Sequence, residues 1–175
     1  MKVWWTHPSG KKVAAGGIVF YDNEGMWLIK EKKWTDPGGK FRFEDCDIYG
    51  TIAREFSEEV YYTWQLTKKD VEHFTKEFGL WLLTKEDDTT TFLYYACIFV
   101  PVGAFELVTG EKFSTEKFNK VRDSLVEKND WVPKHYYSTT CFEKIKYDQL
   151  DKLSKTFRLN KMVLPKFEKL ELIKK

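Results

Sequence analysis

The sequence predicts an α+β sandwich folded as one domain, and three observations carry that reading. A chain of 175 residues with 42% hydrophobic and 17% aromatic content can bury a core without disulfides or a structural metal. Segments of β-branched and aromatic character alternate with segments of helical period. They keep no regular β-α-β rhythm, so a mixed sheet with helices packed on it fits better than a regular parallel one.

The elements follow in order. Val13 to Tyr21 (V-A-A-G-G-I-V-F-Y) reads as a first strand, Asp22-Asn23-Glu24-Gly25 as a turn, and Met26 to Lys30 as the returning strand. Trp34-Thr35-Asp36-Pro37-Gly38-Gly39-Lys40 reads as a loop, because its Pro and paired Gly exclude regular structure. A helix is predicted from Ile48 to Tyr61, and another from Lys68 to Phe78 with Thr67 as N-cap and Asp70 in a capping box. Leu80 to Thr84 and Thr89 to Val100 are predicted to form a hairpin around Lys85-Glu86-Asp87-Asp88. A helical insertion is expected around residues 102–130, with one helix from Ser114 to Glu127 that turns Phe118, Val121 and Leu125 inward. An aromatic-rich loop (Asn129 to Thr140), a strand (Phe142 to Tyr147), a short helix (Asp148 to Ser154) and an extended tail complete the chain.

Composition excludes several classes. Charged residues make up 32% of the chain yet cancel to +2, which gives no general drive toward nucleic acid or membrane; no DNA or membrane partner is expected. The excess is local. From Phe142 to Lys175, ten Lys/Arg stand against five Asp/Glu, which fits a solvated helix face first and a phosphate-binding surface second. Cys46, Cys97 and Cys141 are dispersed, which argues against a disulfide framework and a zinc site. Met1 to Lys12 lacks the apolar region of a secretory signal, and the run Tyr94 to Phe105 is too short to span a bilayer. These features predict a cytoplasmic protein.

Chemistry concentrates in the first predicted helix. At about 100° per residue, Ile48, Ile52 and Phe56 form an apolar stripe, with Ala53 and Val60 widening it. Glu55, Glu58 and Glu59 fall at i, i+3 and i+4, so their carboxylates share a neighbouring face. Three crowded acids repel unless a cation or water screens them, and Arg54 can offset one charge. Alone, this face reads more readily as solvated surface. The preceding Gly38-Gly39-Lys40 changes the balance, because glycine allows close backbone approach and an exposed carbonyl is a hard ligand suited to Mg²⁺.

The segment G-G-K-F-R-F-E-D-C-D-I-Y-G-T-I-A-R-E-F-S-E-E-V-Y-Y (Gly38 to Tyr62) resembles the Nudix box, G-x5-E-x7-R-E-U-x-E-E-x-G-U, where U is bulky and apolar. Gly39 and the unbroken Arg54-Glu55-Phe56-Ser57-Glu58-Glu59 carry the match, and the likeness is close over Val13 to Tyr62. Three departures stand out. One residue is inserted before Arg54, so Asp45 or Glu44 covers the early acid; Tyr61 replaces a helix-ending glycine; Arg42 sits where many members carry Glu.

The resemblance implies an α/β/α sandwich with a mixed central sheet and a diphosphohydrolase that uses Mg²⁺, with Mn²⁺ as a substitute. It implies Glu55 and Glu59 as metal ligands, Glu58 as ligand or water-activating base, Gly38 as a carbonyl ligand and Arg54 as the residue that orients the acids. It also implies a further acid near the last strand, for which Glu143 is placed, with Lys40 beside the phosphates. Trp131 and Tyr137 are the first candidates to stack on a nucleobase. The expected substrate is a nucleotide or a nucleoside-diphosphate-linked small molecule. Removal of 5′ caps or diphosphates from RNA is the enzymatic alternative, motivated by the basic C-terminal segment. A non-catalytic binding module of the same fold is the third reading, and the intact Glu55, Glu58 and Glu59 argue against it.

Overall fold

The computed structural model describes residues 3–84, 93–129, 137–162 and 170–173. Strands β1 (Trp5–Thr6), β2 (Lys12–Tyr21), β3 (Gly25–Lys30), β4 (Trp34–Thr35) and β5 (Gly38–Lys40) precede helices α1 (Ile48–Glu59) and α2 (Lys68–Phe78). They are followed by β6 (Leu80–Thr84), β7 (Leu93–Pro101), α3 (Val102–Thr109), α4 (Thr115–Lys128), β8 (Cys141–Lys146), α5 (Phe157–Met162) and β9 (Leu170–Ile173). The nine strands form one sheet in the order β4-β3-β2-β7-β6-β9, with β1 and β5 also pairing β2 and β8 pairing β3. The β2–β7 pair is parallel and the other named pairs are antiparallel, so the sheet is mixed.

A fork in this sheet builds the site. β2 and β3 pair only at Phe20↔Trp27 and Tyr21↔Met26, then part. The edges they vacate expose backbone groups that need partners. β5 takes the edge of β2, from Ala15↔Lys40 to Gly17↔Gly38, and β4 takes the edge of β3 through Ile29↔Thr35 and Lys30↔Trp34. The segment Trp34 to Lys40, expected as a loop, is therefore two short strands that fill the fork. Pro37 falls at the break between them, where no ladder donor is needed.

Alternation along the strands sends side chains to two separate cores. On one face, Val13, Ile18 and Phe20 of β2 and Ile98 of β7 pack with Ile48, Ile52 and Phe56 of α1 and Val71 and Phe74 of α2. On the other, Val19, Leu28 and Cys97 pack with Leu150, Leu159 and Met162. Helices thus cover both faces. The α1 stripe is the predicted one, with Ile48, Ile52 and Phe56 fully buried. Asp47 caps α1 by accepting from the Gly50 amide, and Thr67 and Asp70 form the predicted capping box of α2.

Several expectations need correction. Two helices occupy the insertion instead of one. α3 buries only Phe105 and leaves Leu107 87% exposed, so its sequence carried no clear helical stripe. In α4, capped by Ser114, Phe118 is buried while Val121 and Leu125 are only half-buried. The expected helix after β8 is a 3-10 turn over Tyr147–Lys152. The tail is not simply extended, because α5 docks Leu159 and Met162 into the second core and β9 pairs β6. The turn Lys85 to Asp88 lies outside the described residues. No helix among the described residues is long and apolar enough to cross a membrane.

Candidate active site

With its apolar stripe committed to the sheet, α1 brings Glu55 against β5 and Glu59 beside the turn after β3, while Glu58 reaches Arg54. Gly39 makes the closest approach. A β-carbon there would collide with the Glu55 carboxylate, so only glycine lets this acid lie against the strand.

Arg54 organises the acids. Its Nε and Nη2 donate to the two oxygens of Asp45 at 2.8 and 3.0 Å, and Nη2 also donates to the Lys40 carbonyl at 2.9 Å. Nη1 reaches Glu55 at 2.9 Å and Glu58 at 3.3 Å. Of the two candidates for the early acid, Asp45 is the one that pairs with Arg54. Burial acts to raise its carboxyl, but hydrogen bonds from Arg54, Thr51 and the Arg42 amide outweigh burial and hold it below its ordinary value. The extra residue before α1 is accommodated where Cys46 adopts φ 69°, at the end of a 3-10 turn over Phe43–Asp45.

Glu59 stands apart from this hub. Its Oε2 accepts from the Thr139 hydroxyl at 2.8 Å. Burial is the main reason its carboxyl is pushed up to about 8; Thr139 opposes the shift, while the neighbouring Glu31 and Glu55 carboxylates add to it. Glu31 arrives from the turn after β3. That turn is tied to the segment before β8, since the Thr140 amide donates to the Lys30 carbonyl at 2.8 Å.

Beneath the glycine loop lies a buried polar cluster. Asp36 is fully buried. It accepts from Arg158 Nε at 2.7 Å, from the Thr35 hydroxyl at 3.1 Å and from the Tyr95 hydroxyl. The Arg158 guanidinium also lies 4.7 Å from the Tyr95 ring centroid. Burial drives the Tyr95 hydroxyl well above its ordinary value, so it stays a donor. A β-carbon at Gly38 would meet that hydroxyl.

The predicted residues separate accordingly. Gly39, Arg54, Glu55, Glu58 and Glu59 come together; Lys40 gives Arg54 its carbonyl, but it lies in one row with Ala15 and Tyr95, so its exposed side chain leaves the sheet on the face opposite α1. Gly38 does not offer its carbonyl freely, because Arg158 Nη2 approaches it at 3.4 Å from the Asp36 cluster. Glu143 is the clearest correction. It pairs with Leu28, whose side chain lies in the second core, while its neighbour Phe142 meets Phe56 of α1 at 6.3 Å between centroids. Strand alternation therefore sends Glu143 out of the sheet on the face opposite α1. Tyr137 meets the edge of Tyr61 at 5.9 Å, and Trp131 lies outside the described residues.

Sequence reasoning missed Glu31, Thr139 and the Asp36–Tyr95–Arg158 cluster. Glu31 left one signal, an acid at the end of a strand that leads directly into the glycine loop. The others depend on contacts across 59 to 122 residues, which no spacing rule reports.

The donors around Glu59 are carboxylate oxygens, the hard chemistry that Mg²⁺ takes. Gly39 keeps side-chain bulk out of the cradle beside Glu55. As placed, Arg54 holds Glu55 and Glu58, and Thr139 holds Glu59. Among the described residues no three His, Cys, Asp or Glu side chains form a group that could hold a metal ion. Taking up a cation thus requires these carboxylates to turn from their partners. Compared with protein-family models, curated proteins and solved structures, the chain finds no match.

Proposed function

We propose that this chain is a Nudix-type hydrolase that cleaves a diphosphate linkage in a nucleotide or nucleoside-diphosphate-linked compound. One observation carries the reading: Arg54 gathers Asp45, Glu55, Glu58 and the Lys40 carbonyl around one guanidinium, and Glu55 lies against Gly39. A solvated acidic surface needs neither the hub nor the glycine. The helices on both faces of a mixed sheet also support a Nudix-like α/β/α sandwich.

In this reading Glu55, Glu58 and Glu59, with Glu31 as the acid from outside the helix, hold Mg²⁺ or Mn²⁺. The metal supplies charge neutralisation for the diphosphate and lowers the pKa of a water. Arg54 gathers Glu55 and Glu58 beside each other, and both would turn from it toward the cation. The Glu58 side chain, 38% exposed and held by one contact to Arg54, is the freest of the three carboxylates and is suited to take a proton from water.

The test is a substrate panel with Mg²⁺: nucleotides, ADP-ribose, dinucleoside polyphosphates, diphosphoinositol polyphosphates and capped RNA. Turnover of at least one diphosphate substrate that stops with chelator supports the proposal. Full turnover in excess chelator removes it. Glu59→Gln should lower turnover by on the order of 10², as loss of a main electrostatic group does.

A further inference from the structure

β2 carries one extra residue against its parallel neighbour β7. Val13 pairs with Tyr94 and Ala15 with Tyr95, so Ala14 has no counterpart in β7. Its carbonyl instead accepts from the Phe41 amide at 2.9 Å. In a regular strand Lys12 and Ala15, three positions apart, would face opposite ways. The bulge puts them on one face, because their partners Leu93 and Tyr95 are two positions apart in β7. Bulges re-aim side chains in this way. Tyr95 packs against the second core, so this is the face opposite α1.

Lys40 of β5 pairs with Ala15 and joins the same face. The Cα atoms of Lys12 and Lys40 thus lie one strand spacing and one same-face step apart, roughly 8 Å. Both lysines are exposed, and Ala15 between them, half-buried, raises only a methyl group. Lys12 Nζ stands 4.7 Å from the centre of the Trp4 ring, and Trp4 is 39% exposed. Among the described residues the lysines in ion pairs are Lys68, Lys117 and Lys144, so no carboxylate there offsets Lys12 or Lys40. Arg158, the next cation on this face, is already paired with Asp36.

We propose that Lys12, Lys40 and Trp4 form a docking surface for a single-stranded nucleic acid. Two uncompensated ammonium groups at this spacing suit successive phosphates of one chain. The indole beside them offers a surface on which a base can stack. Cations combined with an aromatic platform hold single strands without reading their sequence. A free nucleotide at the Arg54 hub is separated from these groups by the sheet, whereas a strand can reach both. Lys40 gives its carbonyl to Arg54 while its side chain lies on the far face, and among the described residues β5 pairs with β2 alone. A chain passing round that edge leads its end toward the acidic site. This last consequence rests on the diphosphate reading; the docking surface does not.

The experiment measures fluorescence anisotropy of labelled oligouridylate and oligothymidylate of about 12 nucleotides, each with a 5′-hydroxyl, against the full chain in chelator. Affinity is followed over a salt series, and the urea midpoint of every variant is recorded. Lys12→Gln and Lys40→Gln should each make the fall of log affinity with log salt shallower by about 0.7. Trp4→Ala should weaken binding roughly 5- to 150-fold at an unchanged slope, and Trp4→Phe should recover most of the loss. Lys69→Gln removes the same charge from exposed α2 and should bind as wild type does. Tighter binding of the uridylate identifies RNA as the partner, and of the thymidylate, DNA. No binding by wild type at low salt, or an equal loss in Lys69→Gln, overturns the proposal. Full displacement by uridine monophosphate at equal phosphate concentration also overturns it, leaving an anion site only. Because the oligomers carry no diphosphate and the assay no metal, failure here leaves the hydrolase proposal standing, and failure of the substrate panel leaves this one.

Discussion

Arg158 donates through Nε to the Asp36 carboxylate at 2.7 Å, joining the last described helix to the glycine loop across 122 residues of chain. Asp36 is fully buried, and this partner with the hydroxyls of Thr35 and Tyr95 supplies its hydrogen bonds. The pair fixes where β5 lies and therefore where Gly39 presents itself to Glu55.

Arg158→Met should cost about 3–5 kcal/mol, because it leaves a buried carboxylate uncompensated. Tyr95→Phe removes one donor and should cost about 1–3 kcal/mol. Urea denaturation measures both. A loss below about 1 kcal/mol for Arg158→Met would show that the cluster contributes little to holding the loop.

Asp45 gives a pH dependence. Its folded carboxyl titrates below its ordinary value of 3.8, so the unfolded chain takes up its proton first as pH falls. The stabilisation from Asp45 is therefore fully present well above that value and is lost as pH drops through the folded one. Asp45→Asn should destabilise the protein by about 2 kcal/mol near neutral pH, as expected for losing charged hydrogen bonds. The gap from wild type should narrow below about pH 4. Melts at pH 7 and pH 3 check this; an equal gap at both would place the effect elsewhere.

The contrast between Arg54 and Arg158 explains what the sequence made legible. Arg54, Glu55, Glu58 and Glu59 share one helix, where 3.6-residue geometry converts spacing directly into position. α1 and α2 were readable for the same reason, and Asp47 and Thr67 cap them with local hydrogen bonds. Glu31 comes from the turn after β3, Thr139 from the segment before β8 and Arg158 from α5, and only tertiary packing brings these elements to the site. The fork itself was hidden because Pro37 and two glycines read as loop chemistry, although the parting of β2 and β3 creates edges that demand pairing. Glu143 failed through register: one residue of alternation decides which face an acid serves, and only the pairing with Leu28 reveals it.

Tyr62 has φ 56°, and its side chain is 61% exposed. Tyr62→Gly relieves about 1–2 kcal/mol of left-handed strain and adds about 0.5–1 kcal/mol of chain entropy to the unfolded state. The variant should be as stable as wild type or up to about 1.5 kcal/mol more stable. Tyr62→Val, β-branched and strained there, should melt lower. Clear destabilisation by Tyr62→Gly would mean that the ring packs in a way its exposure does not show.

The last prediction sets Glu31 against Glu143. A metal cluster enclosing a diphosphate benefits from an acid outside the box helix, and Glu143 was the candidate on sequence grounds. Its side chain leaves the sheet on the face opposite α1, whereas Glu31 lies close enough to Glu59 to raise its titration. Glu31 is exposed, so replacing it removes a carboxylate without opening the core, and stability should change by no more than about 0.5 kcal/mol. Glu31→Gln should lower turnover about tenfold or more, as removal of a general acid–base or charge-bearing group does, and should weaken Mn²⁺ binding alongside. Glu143→Gln should leave both within about twofold, because the thickness of the sheet separates it from the chemistry. Measured kcat/KM and Mn²⁺ affinity for the two variants decide between them. If Glu143→Gln lost activity while Glu31→Gln kept it, the site would have to be rebuilt on the other face of the sheet, next to Leu28 and Ile145, and the Arg54 hub would become a structural device.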